Sequence, residues 1–193
     1  EEIFDLVLVC NGHYSAPACH PEIDASLFQG KVMHAVEYDD PKEFSGMTVL
    51  CIGARASGSD LAREISMYAD KVYLSDSSCP AIEGEGEPQT LGNVSWMPRT
   101  TRVEEKSVVF GGNYTVDGID VVIFCNGYDY DFPFINEASN FRDGDNSFWS
   151  CLPGERRVAP LYKQLWHSSY PSLAFIGIRE FKSVSHHFYT LYL

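Results

Sequence analysis

The stretch VLCIGARASGSDLA (49–62) constrains this chain more than any other part of it. The run MTVLCIG (47–53) is aliphatic and ends on a glycine, as a buried strand does. SGSDLAREISMYAD (57–70) sets Leu61, Ile65 and Tyr68 or Ala69 at helical spacing and leaves Asp60, Arg63 and Glu64 on the polar side. KVYLS (71–75) is strand-like again. Strand, tight turn, helix and strand form a βαβ unit, whose crossover is right-handed and whose strands run parallel. The expectation is an α/β, Rossmann-like fold. DLVLVC (5–10), KSVVF (106–110), DVVIFC (120–125) and LAFIG (173–177) supply further strands, while 77–93 and 136–155 read as irregular.

The turn in that unit is where chemistry enters. Gly53 at the strand end permits a sharp bend, and Gly58 permits close approach of the helix, whose first N–H groups can meet a diphosphate. The predicted contacts are Gly53, Ala54, Arg55, Ala56, Ser57 and Gly58, with Ser57 as N-cap and Ser57 and Ser59 as extra donors. Arg55 stands where a middle glycine is expected, so it either blocks the cofactor or turns outward and holds a phosphate as a bidentate donor. A plain strand-to-helix turn without ligand fits the same letters. Further on, LSDSS (74–78) places Asp76 where a dinucleotide site meets the adenosine ribose. A carboxylate there accepts from a free 2′-hydroxyl and repels a 2′-phosphate, which leans toward NAD; a solvated loop aspartate is the other reading.

Composition excludes several classes. A net charge of −13 over 193 residues argues against nucleic acid and anionic membranes as partners. No apolar run reaches the length of a transmembrane segment. Six cysteines lie scattered without a C-x-x-C pair, as reduced thiols of an intracellular protein do. His186 and His187 lack a third ligand, so no metal site is expected.

Two strands end alike: VLVCNGHY (7–14) and VIFCNGYDY (122–130) both run into Cys-Asn-Gly-aromatic, one on each side of the βαβ unit. They look like two chain crossings between one domain and another inserted in it. Between the first crossing and the βαβ unit lies FQGKVMHAVEYDDP (28–41), with Phe28, Gly30, His34 and Tyr38 in the spacing F-x-G-x-x-x-H-x-x-x-Y. By spacing alone this is an amphipathic helical turn with a hydrogen-bonded histidine.

These motifs, in this order over residues 3–178, resemble the flavin-containing monooxygenases. The spacing at 28–38 is similar to that family's identifying sequence, CNGH and CNGY to its two strand exits, and GARASG to its pyridine-nucleotide turn. The resemblance implies an enzyme that carries FAD, takes reducing equivalents from NADPH, and passes one oxygen of O₂ to a small-molecule amine or sulfide. In such an enzyme the flavin carries the chemistry and the protein shields it from water. The site would be intracellular, cytoplasmic or associated with the endoplasmic reticulum. Phe28, Gly30, His34 and Tyr38, with Asn11, Gly12, His13, Asn126, Gly127 and Tyr128, would order the domain crossing rather than transfer protons.

The implied division is 1–45 as an FAD-domain strand with the crossing segment, 46–128 as the NAD(P) domain, and 129–193 as the return to the FAD domain with an atypical tail. The family's FAD fingerprint has no counterpart here, because the glycines of EGEGEP (83–88) sit in a proline-bearing loop. The family's basic residues after the LS strand end are replaced by Asp76, Ser77 and Ser78. The chain starts Glu1-Glu2 and ends REFKSVSHHFYTLYL, which leads to the expectation of a fragment with an aberrant end, inactive by itself. A pyridine-nucleotide disulfide reductase shares the strand exits but calls for a redox cysteine pair, and a non-catalytic nucleotide-binding module stays open.

Overall fold

The computed structural model describes residues 2–18, 22–82, 84, 86–134 and 158–178. The irregular reading of 136–155, the tail and His186-His187 lie outside the described residues. In chain order the strands begin with β1 (Val7–Val9), β2 (Ala16–Pro17), β3 (Lys31–His34), β4 (Thr48–Ile52) and β5 (Lys71–Ser75). Then come β6 (Gln89–Leu91), β7 (Val94–Met97), β8 (Thr100–Val103), β9 (Ser107–Phe110) and β10 (Thr115–Asp117). The last are β11 (Val121–Phe124), β12 (Tyr128–Asp129), β13 (Leu161–Tyr162), β14 (Trp166–His167) and β15 (Leu173–Phe175). Helix α1 spans Ala56–Ile65, and short 3₁₀ turns span Ala35–Glu37 and Pro41–Phe44.

The chain divides into two compact units, one of residues 1–16 and 129–193, the other of 17–128. In the second unit a six-stranded sheet runs β3-β11-β4-β5-β7-β6. Its strands are parallel except β6, which returns antiparallel on β7. The order follows from β4: Val49 and Cys51 face one way, Leu50 and Ile52 the other, and all four are buried. Val49 and Cys51 join Ala62 and Ile65 of α1, Phe44, Val72 and Ile123. Leu50 and Ile52 join Phe28, Met97, Val108, Phe110 and Val122 on the opposite face. That face is covered by an antiparallel sheet, β10-β9-β8, so the central sheet is sandwiched between helix and second sheet.

Helix α1 ends earlier than its periodicity predicts. After Ile65 the chain tightens, with Met67 N–H donating to Glu64 O and Tyr68 N–H to Ile65 O. Asn93 Nδ2 donates to the carbonyls of Ser66 (2.9 Å) and Ala69 (2.8 Å), satisfying oxygens that the helix end leaves open. Segment 28–41 is also corrected: it is strand β3 followed by a 3₁₀ turn, not an amphipathic helical turn, because β3 is claimed by the parallel ladder with β11. The stretch 77–93, read as irregular, contains β6 at its end.

In the first unit a separate sheet runs β1-β15-β14-β13, with β1 and β15 parallel. Its core holds Val9, Tyr130, Phe132, Leu173, Phe175 and Ile178.

Candidate functional site

Helix α1 opens at the carboxyl end of β4, where open α/β sheets take their ligands. Gly53 makes the bend with φ +105°, and its N–H donates to Ser75 O at the end of β5 over 2.9 Å. A Cβ on Gly53 would stand 2.7 Å from Cys125 O; one on Gly58 would stand 1.7 Å from Gly53 O. Two glycines thus let the first turn of α1 press against the turn that precedes it, which aims its leading amides outward from the sheet edge. The first intrahelical bond runs from Ser59 N–H to Arg55 O, and Ser59 Oγ donates to Ala54 O over 2.9 Å.

The N-cap is Arg55, not Ser57. Its backbone is extended (φ −73°, ψ −169°) and its side chain makes no capping bond, while Ser57 lies exposed inside the first turn. The phase of the helix is dictated by Gly58, which has to meet Gly53 O, and that places the cap three residues earlier. Arg55 itself is exposed.

Asp76 is brought to the same place. Its N–H donates to Met97 O (3.0 Å), and its Oδ1 accepts from Ser78 N–H (2.6 Å). Burial pushes its carboxyl up, but the Ser78 hydrogen bonds, the Ala54 amide and the Arg55 charge outweigh it, and the group is held below the usual aspartate range. Behind it, Ser75 Oγ donates to Pro98 O (2.8 Å) and accepts from Thr100 N–H (2.8 Å), so the end of β5 is fixed by a buried network.

The residues of 28–38 each do a separate job. Gly30 has no room for a side chain: a Cβ would be 2.4 Å from Asp120 O and 2.5 Å from the Phe28 ring, which covers it. His34 is buried, and its Nδ1 accepts from Val36 N–H (3.2 Å). That bond leaves the proton on Nε2, which donates to Gly127 O (3.0 Å). The ring also meets Tyr128 edge-on at 5.1 Å. Tyr38 donates its hydroxyl to Glu64 Oε2 on α1 (2.8 Å) and stacks on Phe44. Burial first, then the Glu64 carboxylate, push that phenol well above its usual range.

The turn after β11 is fastened to Ala18. Ala18 N–H donates to Gly127 O (3.1 Å) and Asn126 Nδ2 to Ala18 O (2.8 Å). Gly127 O therefore receives both Ala18 and His34. A cleft of ≈ 560 Å³ opens here, walled by Ile23, Phe28, Val32, Phe124, His34 and Asn126. Asn11, Gly12 and His13 belong to the other unit; there Gly12 takes φ +72° and the His13 ring packs at 4.2 Å from Tyr14 and 5.1 Å from Tyr130.

Sequence reasoning missed Glu64, Ser75 and Asp120. Asp120 Oδ2 accepts from Thr48 N–H (2.8 Å) while its carbonyl accepts from Lys31 N–H (2.9 Å), joining the starts of three neighbouring strands. The aspartate that leads the DVVIFC run was the available signal. Among the described residues no group of His, Cys, Asp and Glu is placed to hold a metal, and no helix is long and apolar enough to cross a membrane.

Comparison with known proteins gives this arrangement its relatives. A family model described as flavin-binding monooxygenase-like matches residues 1–84 and 86–155. Flavin-containing monooxygenase FMO GS-OX-like 4 of Arabidopsis thaliana is 37% identical over 185 residues, covering 92% of this chain and 37% of that protein. FMO GS-OX5 of the same plant is 35% identical with the same coverage. Among solved structures, S-allyl-L-cysteine S-oxygenase from Allium sativum superposes with a TM-score of 0.72 at 32% identity, covering 91% of this chain and 38% of that one. Tmm from Pelagibacter sp. strain HTCC7211 gives 0.70 at 25% identity, with 94% and 38% covered. The chain spans a little over a third of the length of these relatives.

Proposed function

The chain belongs to the flavin-binding monooxygenase-like family, whose cofactors are FAD and NADPH, and from that membership we propose that the unit of residues 17–128 is its pyridine-nucleotide domain. Residues 1–16 and 129–193 then contribute a strand and the return to an FAD domain. The observation that supports this most is the glycine-lined start of α1 at the end of β4, with Asp76 on the adjoining strand. Residues 53–58 would hold the dinucleotide diphosphate by the α1 amides, and Asp76 would meet the ribose.

The residues present fit a pyridine dinucleotide: two positions without side chains bring a helix start to a strand end, with amides aimed outward. For FAD the fit is absent among the described residues, where α1 is the single helix that opens from a strand in this way. The bound flavin would supply oxygen activation. This chain's own part is to seat the nicotinamide nucleotide and to keep the crossing rigid. His34 holds a proton on Nε2 for Gly127 O, and Tyr38 ties the same segment to α1 through Glu64. As a whole, the protein would oxygenate a soft nitrogen or sulfur centre of a small molecule with a reduced pyridine nucleotide and O₂.

The test is direct: NADP⁺ and NAD⁺ are titrated into the protein by calorimetry, alongside a Gly58→Ala variant checked for native circular dichroism. Heat from the unsubstituted protein that is lost in the variant supports the reading. Absence of heat with both nucleotides refutes it.

A further inference from the structure

Resting on that reading of the α1 turn, we propose that the site selects a free adenosine 2′-hydroxyl over a 2′-phosphate through Asp76, so that this chain takes NADH in preference to NADPH. This would be a departure from the cofactor of its family. In a βαβ dinucleotide site the end of the second strand, about 20 residues beyond the first glycine, meets the adenosine ribose. Asp76 occupies that position. The parallel register pairs Ile52 with Ser75, and Gly53 N–H donates to Ser75 O, so the backbone of Asp76 leaves β5 directly beside the glycine turn.

The carboxylate there is fixed. Met97 O holds its amide and Ser78 N–H holds its Oδ1, and Ser75 is clamped from behind by Pro98 and Thr100. A carboxylate offers acceptors only, so it suits a hydroxyl and opposes a phosphate. The bonds from Ser78 and Ala54, with the nearby Arg55 charge, keep it ionised at neutral pH.

A site for the 2′-phosphate needs cations that are not already engaged. Residues 74–80, LSDSSCP, contain none. Of the arginines at this end of the sheet, Arg55 lies within the field of Asp76 and Arg99 is paired with Glu22. A 2′-phosphate brought here would meet the Asp76 carboxylate, whose charge offsets that of Arg55, while Arg99 is paired with Glu22.

The experiment is calorimetric titration of the protein with NAD⁺ and with NADP⁺, repeated in Asp76→Asn, which keeps an oxygen for Ser78 N–H and loses the charge. Expected is NAD⁺ binding about ten-fold tighter than NADP⁺, with the variant gaining about ten-fold for NADP⁺ and weakening a few-fold for NAD⁺. The gap narrows at high salt, as a charge effect does and a steric one does not. Tighter binding of NADP⁺ by the unsubstituted protein, or an unchanged ratio in a variant of native circular dichroism, overturns the preference and leaves the nucleotide site standing. No heat with either nucleotide overturns the site and the preference together.

Discussion

The hydroxyl of Tyr38 donates to Glu64 Oε2 across 2.8 Å, joining the last residue of the 28–38 motif to the last turn of α1. The same helix opens just after the Gly53 turn, so the bond ties the motif to that turn through α1. Tyr38→Phe keeps the stacking on Phe44 and removes only this bond. Loss of a hydrogen bond to a half-exposed carboxylate is expected to cost about 1 kcal/mol in urea denaturation. Unaltered stability, with unaltered nucleotide affinity, would show that the tie holds nothing.

Gly58→Ala asks more of the fold. Its Cβ meets a backbone oxygen, which cannot swing away as a side chain would. Helix α1 has to back off from the turn, at an expected cost of about 3 kcal/mol. Gly30→Ala meets Asp120 O in the same way and is expected to lose a similar amount. Denaturation curves for both variants check this, and midpoints within error of the parent would contradict it.

His34 is held through both ring nitrogens, one accepting and one donating. Replacement by leucine leaves Val36 N–H and Gly127 O short of these partners, for an expected loss of about 2 kcal/mol. Glutamine, which has both a donor and an acceptor, is expected to recover part of it. Equal losses in the two variants would mean that ring packing, not hydrogen bonding, is what His34 supplies.

Thiol reactivity should follow position. Cys51 is fully buried, and its hydrogen bond to Cys125 and its burial push its thiol well above the usual range. Cys10 is exposed. Iodoacetamide at mildly alkaline pH, with mass-spectrometric mapping, is expected to label Cys10 in the native protein and Cys51 and Cys125 only after denaturation. Early labelling of Cys51 would place β4 outside the core.

Asp76 provides a pH signature. A carboxyl held below its ordinary value of 3.8 lends stability that is fully present above that value and is lost as pH falls through its folded value. The stability difference between the parent and Asp76→Asn is therefore expected to be constant near neutrality and to shrink below about pH 4. A difference that stays level through the acid range would argue that the carboxylate gains nothing from Ser78 and Ala54.

The βαβ unit was legible because its signals are local: β5 falls on 71–75 as read, β4 lies within 47–53, and α1 starts one residue before the predicted 57–70 and stops at Ile65. The cap was misplaced because Ser57 is the better capping residue by type, whereas the contact between Gly58 and Gly53 O decides the phase. Strand β3 was hidden because KVMH gains its identity from pairing with β11, which lies far along the chain. The short strands β6, β7, β8, β10, β13 and β14 likewise exist by their ladders rather than by their composition. Partners such as Glu64 and Asp120 are ordinary acidic residues until the fold shows what they face.

The bond between Ala18 and Gly127 also has a topological meaning. It closes the 17–128 segment into a loop whose entry and exit touch, so its ends need no long tether to meet. Such a piece behaves as a cassette: it can be spliced into a turn of a host protein, or opened at a surface loop and rejoined at its original ends, without asking either framework to stretch.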